Sequence, residues 1–289
     1  MLTMFLLVFA GLMALGIPVA IALGGSAMAY ILADGGLSLT LLVQTTFAGM
    51  SSFPLLAVPL FMLAGNLMNE GGITGDLVRF ARLSMGHISG GLGLATILAT
   101  AIFAAISGSA VATAVALGAV MIPAMRGAGY DEEVAASVTA TASCMGPIIP
   151  PSIPFIIYGV IANVSISALF LAGVVPGLLL GAVLMGYVVL VARRRNYPRE
   201  ARASGRDVLS GAVRALPALL MPVVIMGGIL GGIFTPTEAA GIAVVYAFLV
   251  GTFFYRRLKL ARLPALLLAS GVETAVVMLL LGLSEPFAW

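Results

Sequence analysis

A single cysteine, Cys144, and a single histidine, His87, occur in 289 residues. The first excludes an internal disulfide, and together they leave no cluster with thiolate or imidazole metal-site spacing. Charge is also scarce: Asp, Glu, Lys and Arg make up only 9% of the chain, against about 25% in soluble domains. No basic run precedes the first apolar stretch, Met1 to Gly16. The n-region of a secretory signal is therefore missing, and that stretch reads as a retained span. The strict alternation of apolar and polar residues that marks a spanning β-barrel is missing too.

What is present is hydrophobic residue, 61% of the chain, with a mean hydropathy of +1.17. Apolar runs of this extent need several spans of about 20 residues each. Only helices or closed barrels satisfy the backbone in hydrocarbon, and continuous runs select helices. The expected fold class is all-α, a polytopic bundle in the lipid bilayer. The net charge is +3 and the pI near 9.3. The basic residues form two short clusters, which the positive-inside rule explains, so no nucleic-acid partner is expected.

All charged residues except Asp34, Glu238, Glu273 and Glu285 fall in four stretches: Glu70 to Arg82, Arg126 to Glu133, Arg193 to Arg214 and Arg256 to Arg262. These are the water-facing joints. The two basic ones are expected on the cytoplasmic side. Ala215 to Phe234 then leads out, Phe234 to Glu238 turns, and Ala239 to Tyr255 returns. Ser165 to Ala192 is another span, with Gly173, Gly177 and Gly181 forming a small-residue face for close helix packing.

Val134 to Ala162 has the length of one crossing but carries Pro147, Pro150, Pro151 and Pro154 in its middle. Each proline lacks an N–H and restricts the residue before it, so this is a broken helix. Such backbone is tolerated at membrane depth only where protein buries it or a cavity solvates it. Gly90 to Met125 is apolar but interrupted at Ser107-Gly108-Ser109, with charged stretches at both ends. A re-entrant hairpin fits, as do two crossings of about 17 and 16 residues, near the lower limit for a span.

The two ends of the chain correspond weakly. Met1 to Tyr30 is broken at Gly16-Ile17-Pro18, and Val223 to Tyr246 at Phe234-Thr235-Pro236. Equivalence of the two means an inverted repeat. Residues 1–192 then form the first copy, with hairpin 90–125, broken helix 134–162 and span 165–192. Residues 193–214 are a basic cytoplasmic connector, and 215–289 an incomplete second copy. By this symmetry a complete molecule has roughly 130 to 150 further residues.

Four runs carry a family resemblance: Pro59 to Gly65, Ile106 to Thr113, Gly146 to Ser152 and Thr235 to Ala240. In this order and spacing they closely resemble the large permease subunit of the TRAP transporters, the tripartite ATP-independent periplasmic carriers, over essentially the whole chain. Members of that family also contain a second hairpin and a second Pro-Pro broken helix, which this sequence lacks. The resemblance implies a secondary carrier of organic acids such as C4-dicarboxylates, sialic acids and keto acids in the bacterial or archaeal cytoplasmic (inner) membrane. It implies an elevator mechanism driven by a sodium gradient. The implied partners are a small membrane subunit and a periplasmic substrate-binding protein.

The residues support a carrier independently. Interrupted helices expose unpaired N–H groups suited to a carboxylate and unpaired carbonyls suited to a hard cation. By motif position the family's sodium site falls on Ser107, Ala110, Gly146, Ile149 and Pro151, mainly through backbone carbonyls. Gly108, Ser109, Pro150 and Ser152 are the adjoining substrate candidates. Each of these glycines and prolines could instead serve only packing or a kink. Thr139, Thr141 and Ser143 could hydrogen-bond substrate or simply bond the carbonyl one turn back. Neither Gly90 to Met125 nor Val134 to Ala192 contains a carboxylate or histidine, so a proton carrier is missing there and sodium coupling is favoured. Glu238 fits either a helix cap or a partner contact.

An intramembrane enzyme is not expected, because Ser107 and Ser109 have no histidine or lysine in their bundle. A channel, an assembly subunit or a non-transporting fragment is the alternative. The repeat predicts an intact mass well above 29.5 kDa for the protein from its native membrane, with a small helical membrane protein co-purifying. Mass spectrometry in mild detergent checks this, and a lone 29.5 kDa species would contradict it.

Overall fold

The computed structural model describes residues 2–288, which contain thirteen α-helices and no strand. Six helical segments are long and apolar enough to cross a membrane, the longest being Ile166–Arg195. The chain divides into two compact units, residues 1–56 with 268–289, and residues 57–267.

In the first unit, α1 (Leu2–Ala14) stops short of Gly16-Ile17-Pro18, and Pro18 caps α2 (Val19–Asp34). α3 (Leu39–Met50) starts at Ser38, whose hydroxyl accepts from the Thr40 amide. α13 (Leu263–Ala288) contributes its later turns. The Phe287 ring lies 4.6 Å from that of Phe5, and Gly282 of α13 seats the Met50 side chain.

The second unit contains α4 (Ala57–Glu70), α5 (Ile73–Met85), α6 (Gly91–Ser107), α7 (Ala110–Gly127), α8 (Glu132–Ser143), α9 (Ile153–Ile161), α10 (Ile166–Arg195), α11 (Gly205–Leu230) and α12 (Pro236–Leu249). α6 is its centre: every residue from Gly91 to Ile97 is buried, as expected of a helix apolar on all sides. α10 is two-faced. Phe170, Gly173, Gly177, Gly181, Val188 and Ala192 are buried at helical spacing. Leu171, Val175, Leu179, Val183 and Leu190 are exposed, an apolar stripe that water would not tolerate and a bilayer does. At 30 residues it is about 45 Å long, more than the hydrocarbon thickness.

Both basic stretches lie at one end of this unit. The Tyr255 hydroxyl donates to the Arg214 carbonyl at 2.7 Å, and Arg257 donates to the Gly72 carbonyl at 3.1 Å. Segment 196–204 is strapped to the same end: Glu200 pairs with Arg82, and its amide donates to the Gly86 carbonyl at 3.0 Å. Asp131 pairs with Arg195 and accepts from the Tyr197 hydroxyl at 2.6 Å. The Tyr197 ring stacks on Tyr130 at 4.2 Å.

Within residues 193–214, α10 runs on to Arg195 and α11 begins at Gly205. Ser204 caps it by accepting from the Asp207 amide at 3.1 Å, and nothing before Arg214 breaks the helix. Glu238 completes a capping box, taking the Thr235 amide at 2.8 Å, which decides its role at that turn.

The Tyr197 hydroxyl, then the Arg195 guanidinium, hold the Asp131 carboxyl below the usual carboxylate range. The folded state therefore binds this proton more weakly than the unfolded chain. Its stabilisation is complete above the ordinary pKa of about 3.9 and is lost as pH falls through the folded value. Asp131→Asn is expected to lower the thermal midpoint in detergent at neutral pH and to shrink the further drop below about pH 4. An unchanged acid-side drop would contradict this coupling.

Candidate functional site

Four helix ends converge in the second unit. α6 ends at Ser107, Gly108 takes a left-handed conformation with φ of 61°, and α7 starts at Ala110 with Ser109 as its cap. α8 ends at Ser143, residues 144–152 form an irregular loop, and α9 starts at Ile153 with Ser152 as its cap. Ser109 and Ser152 play matching parts: each hydroxyl accepts from the amide three residues on, Ala112 and Phe155 respectively, at 3.3 Å. The Ser152 hydroxyl also donates to the Pro147 carbonyl at 2.6 Å.

The hairpin tip and the broken helix touch through backbone. The Ile153 amide donates to the Gly108 carbonyl at 3.4 Å. A Cβ on Gly108 would lie 2.6 Å from the Pro151 carbonyl oxygen, and one on Gly146 would lie 2.7 Å from the Ser109 carbonyl. Glycine is therefore required at both positions by close approach, and at Gly108 by its φ as well. Gly173 and Gly177 of α10 receive Ile148 and Ile149 of the irregular loop, so the small-residue face covers the break.

The structure thus brings together Ser107, Gly108, Ser109, Ala110, Gly146, Pro151 and Ser152. Pro150 is buried beside Pro151, to which it is joined by a cis peptide bond. The Ile149 side chain turns away onto α10. Thr139 and Ser143 are buried, and their hydroxyls donate one turn back, to Ala135 at 2.8 Å and Thr139 at 2.7 Å. Thr141 stands apart, exposed and lining a different cavity.

Two participants escaped the sequence reading. Thr113 is fully buried; its hydroxyl lies 2.9 Å from that of Ser107 and donates to the Ser109 carbonyl at 2.6 Å. It closes the tip from the first turn of α7, and the available signal was a hydroxyl one turn after a serine cap. Gly65 of α4 lets Ser107 approach, since a Cβ there would lie 3.3 Å from the Ser107 Cα. It closes the Pro59 to Gly65 run, as Thr113 closes Ile106 to Thr113, and that position was the signal available.

The resulting site is uncharged. It offers hydroxyls, backbone carbonyls, two positive helix starts and two negative helix ends, with no group of three His, Cys, Asp or Glu among the described residues. Such an arrangement can cradle a small anion beside a hard monovalent cation through oxygen and amide contacts.

Interrupted helices in a many-spanned apolar chain place it among membrane transport proteins. The chain belongs to the tripartite ATP-independent periplasmic transporter family, whose DctM component matches residues 6–289. It is 41% identical over 292 residues to the 2,3-diketo-L-gulonate TRAP transporter large permease protein of Escherichia coli, covering 99% of this chain and 68% of that protein. It is 41% identical over 279 residues to the sialic acid TRAP transporter large permease protein of Vibrio cholerae, covering 96% and 65%. It is 44% identical over 236 residues to the C4-dicarboxylate TRAP transporter large permease protein of Pseudomonas aeruginosa, covering 82% and 55%. The chain spans between 55% and 68% of the length of these relatives. It is a multi-pass inner-membrane permease component and not an enzyme.

Gly146→Ala is expected to destabilise the fold by about 1–3 kcal/mol, because its methyl meets backbone that cannot step aside. Thr113→Val, which leaves the Ser107 hydroxyl without that partner, is expected to cost about 1 kcal/mol. Thermal unfolding in detergent reads both, and a neutral Gly146→Ala would mean that tip and loop are not apposed.

Proposed function

We propose that this chain supplies the hairpin and broken helix of a sodium-driven carrier that imports organic acids. The carrier takes its substrate from a periplasmic binding protein, works beside a small membrane subunit, and moves by an elevator mechanism. The observation that carries this reading is the meeting of four helix ends at Gly108 and Gly146 with no carboxylate, histidine, lysine or arginine among them. Organic acids as substrates draw support from the relatives, whose names specify a diketogulonate, a sialic acid and a C4-dicarboxylate. The partners and the elevator motion rest on family membership.

The assigned roles follow the geometry. A carboxylate lies against the first turn of α7, which the Ser109 cap opens, while at the start of α9 the Ile153 amide is committed to the Gly108 carbonyl and the Phe155 amide to Ser152. Gly108 and Gly146 keep side chains out of that space. Sodium is cargo and coupling ion here. The donors near it are all oxygens, from the Ser107 hydroxyl and from the carbonyls of Ser107, Ala110, Gly146, Ile149 and Pro151, which suits a hard monovalent cation held loosely enough to be released. Residues 1–192 form the first inverted repeat, residues 193–214 the connector and residues 215–289 part of a second. The helix breaks before Val19 and before Pro236 support this division.

The test is uptake into vesicles holding the assembled transporter, with and without a sodium gradient. Gly146→Leu and Ser107→Leu are each expected to abolish sodium-stimulated uptake while membrane insertion persists. Wild-type uptake in either variant would overturn the site.

A further inference from the structure

A groove separates α8 from α10 at the end of the unit where the basic residues gather. It encloses about 600 Å³. Its α10 wall is apolar, formed by Leu184, Val188 and Val191, and it faces Val134 and Val138 on α8, which also sets the hydroxyls of Ser137 and Thr141 into the lining. Its rim is charged, carrying Glu133, Arg194 and Arg195. None of the substrate or sodium candidates except Thr141 reaches it.

The rim charges are not equivalent. Arg195 is held by Asp131, which also accepts from Tyr197. Arg194 and Glu133 have no ion-pair partner among the described residues, and they do not pair with each other. The groove mouth therefore presents one uncommitted cation and one uncommitted anion above an apolar slot. Tyr187 lines the slot and is 60% exposed, continuing the outward apolar stripe of Leu179 and Val183. One edge of the groove is thus also the surface that faces lipid.

We propose that this groove is a binding site for a zwitterionic phospholipid with a primary ammonium headgroup, of the phosphatidylethanolamine type. The phosphodiester lies on Arg194, the ammonium on Glu133, and an acyl chain runs down between α8 and α10. Soluble ligands are disfavoured by an α10 wall that is apolar from Val191 to Leu184, about 10 Å along the helix, and by an entrance shared with the bilayer. A purely anionic lipid uses Arg194 but leaves Glu133 facing negative charge. A choline headgroup reaches Glu133 but offers it no N–H. Basic side chains at this depth snorkel to the headgroup layer, where phosphate contacts are strongest.

Native mass spectrometry of the detergent-purified chain, titrated with phosphatidylethanolamine, phosphatidylcholine or phosphatidylglycerol of matched chains, tests this. Phosphatidylethanolamine is expected to bind roughly three- to five-fold tighter than the other two, the effect of one exposed charge contact. Glu133→Gln removes that preference, and Arg194→Gln weakens all three. Thr141→Trp, at an exposed position lining the groove, fills the slot and weakens all three with the charges intact. Equal binding of the three lipids, tighter binding of phosphatidylglycerol, or lipid binding indifferent to Thr141→Trp would each overturn the proposal.

Discussion

A backbone amide or carbonyl left unpaired in hydrocarbon costs several kcal/mol, and the arrangement of the second unit follows from that constraint. The four prolines of 147–154 make continuous helix impossible. The freed groups must then find partners within the protein. Pro147 gives its carbonyl to the Ser152 hydroxyl, Gly108 gives its carbonyl to the Ile153 amide, and two serines each hold one first-turn amide, Ala112 in α7 and Phe155 in α9. Each break is stable only against the other. The hairpin tip and the broken helix are in this sense one structural element, although more than 30 residues of chain separate them.

The glycines follow from the same requirement. Two irregular backbones exchange hydrogen bonds only if they come within contact distance, and a Cβ at Gly108 or Gly146 would occupy that space. α10 then needs small residues where the loop bulges toward it, which is why Gly173 and Gly177 meet Ile148 and Ile149. The outer face of α10 has no such duty and is built of Leu and Val for lipid.

Much of this was legible in the sequence because backbone chemistry is local. Proline and glycine mark the breaks before α2, α7, α9 and α12 whatever the surroundings, and the four stretches where charge gathers mark the water-facing joints. Tertiary pairings were illegible. Nothing local announces that Glu200 reaches Arg82, or that Tyr197 reaches Asp131. The connector was drawn to Arg214 by its charge alone, and charge does not mark where a helix starts; Ser204 three residues before Asp207 is the capping pattern that opens α11. The grouping of Thr139, Thr141 and Ser143 overlooked helical geometry. Residues four apart share a face and residues two apart do not, so Thr141 had to leave the site that Thr139 and Ser143 adjoin.

An uncharged site also bears on how coupling would work under the proposed function. Each helix end carries about half an elementary charge, enough to orient a ligand but too little to neutralise one. A carboxylate alone brings uncompensated negative charge to the two helix starts, and a cation alone brings uncompensated positive charge to the carbonyls. Together they cancel, and the pair experiences a lower desolvation cost than either ion separately. A fixed Arg or Asp in the same place would weaken that mutual dependence by supplying one partner permanently. Coupling by this route needs no titrating residue at all, and it fits a hairpin and broken helix whose polar groups are backbone and hydroxyl.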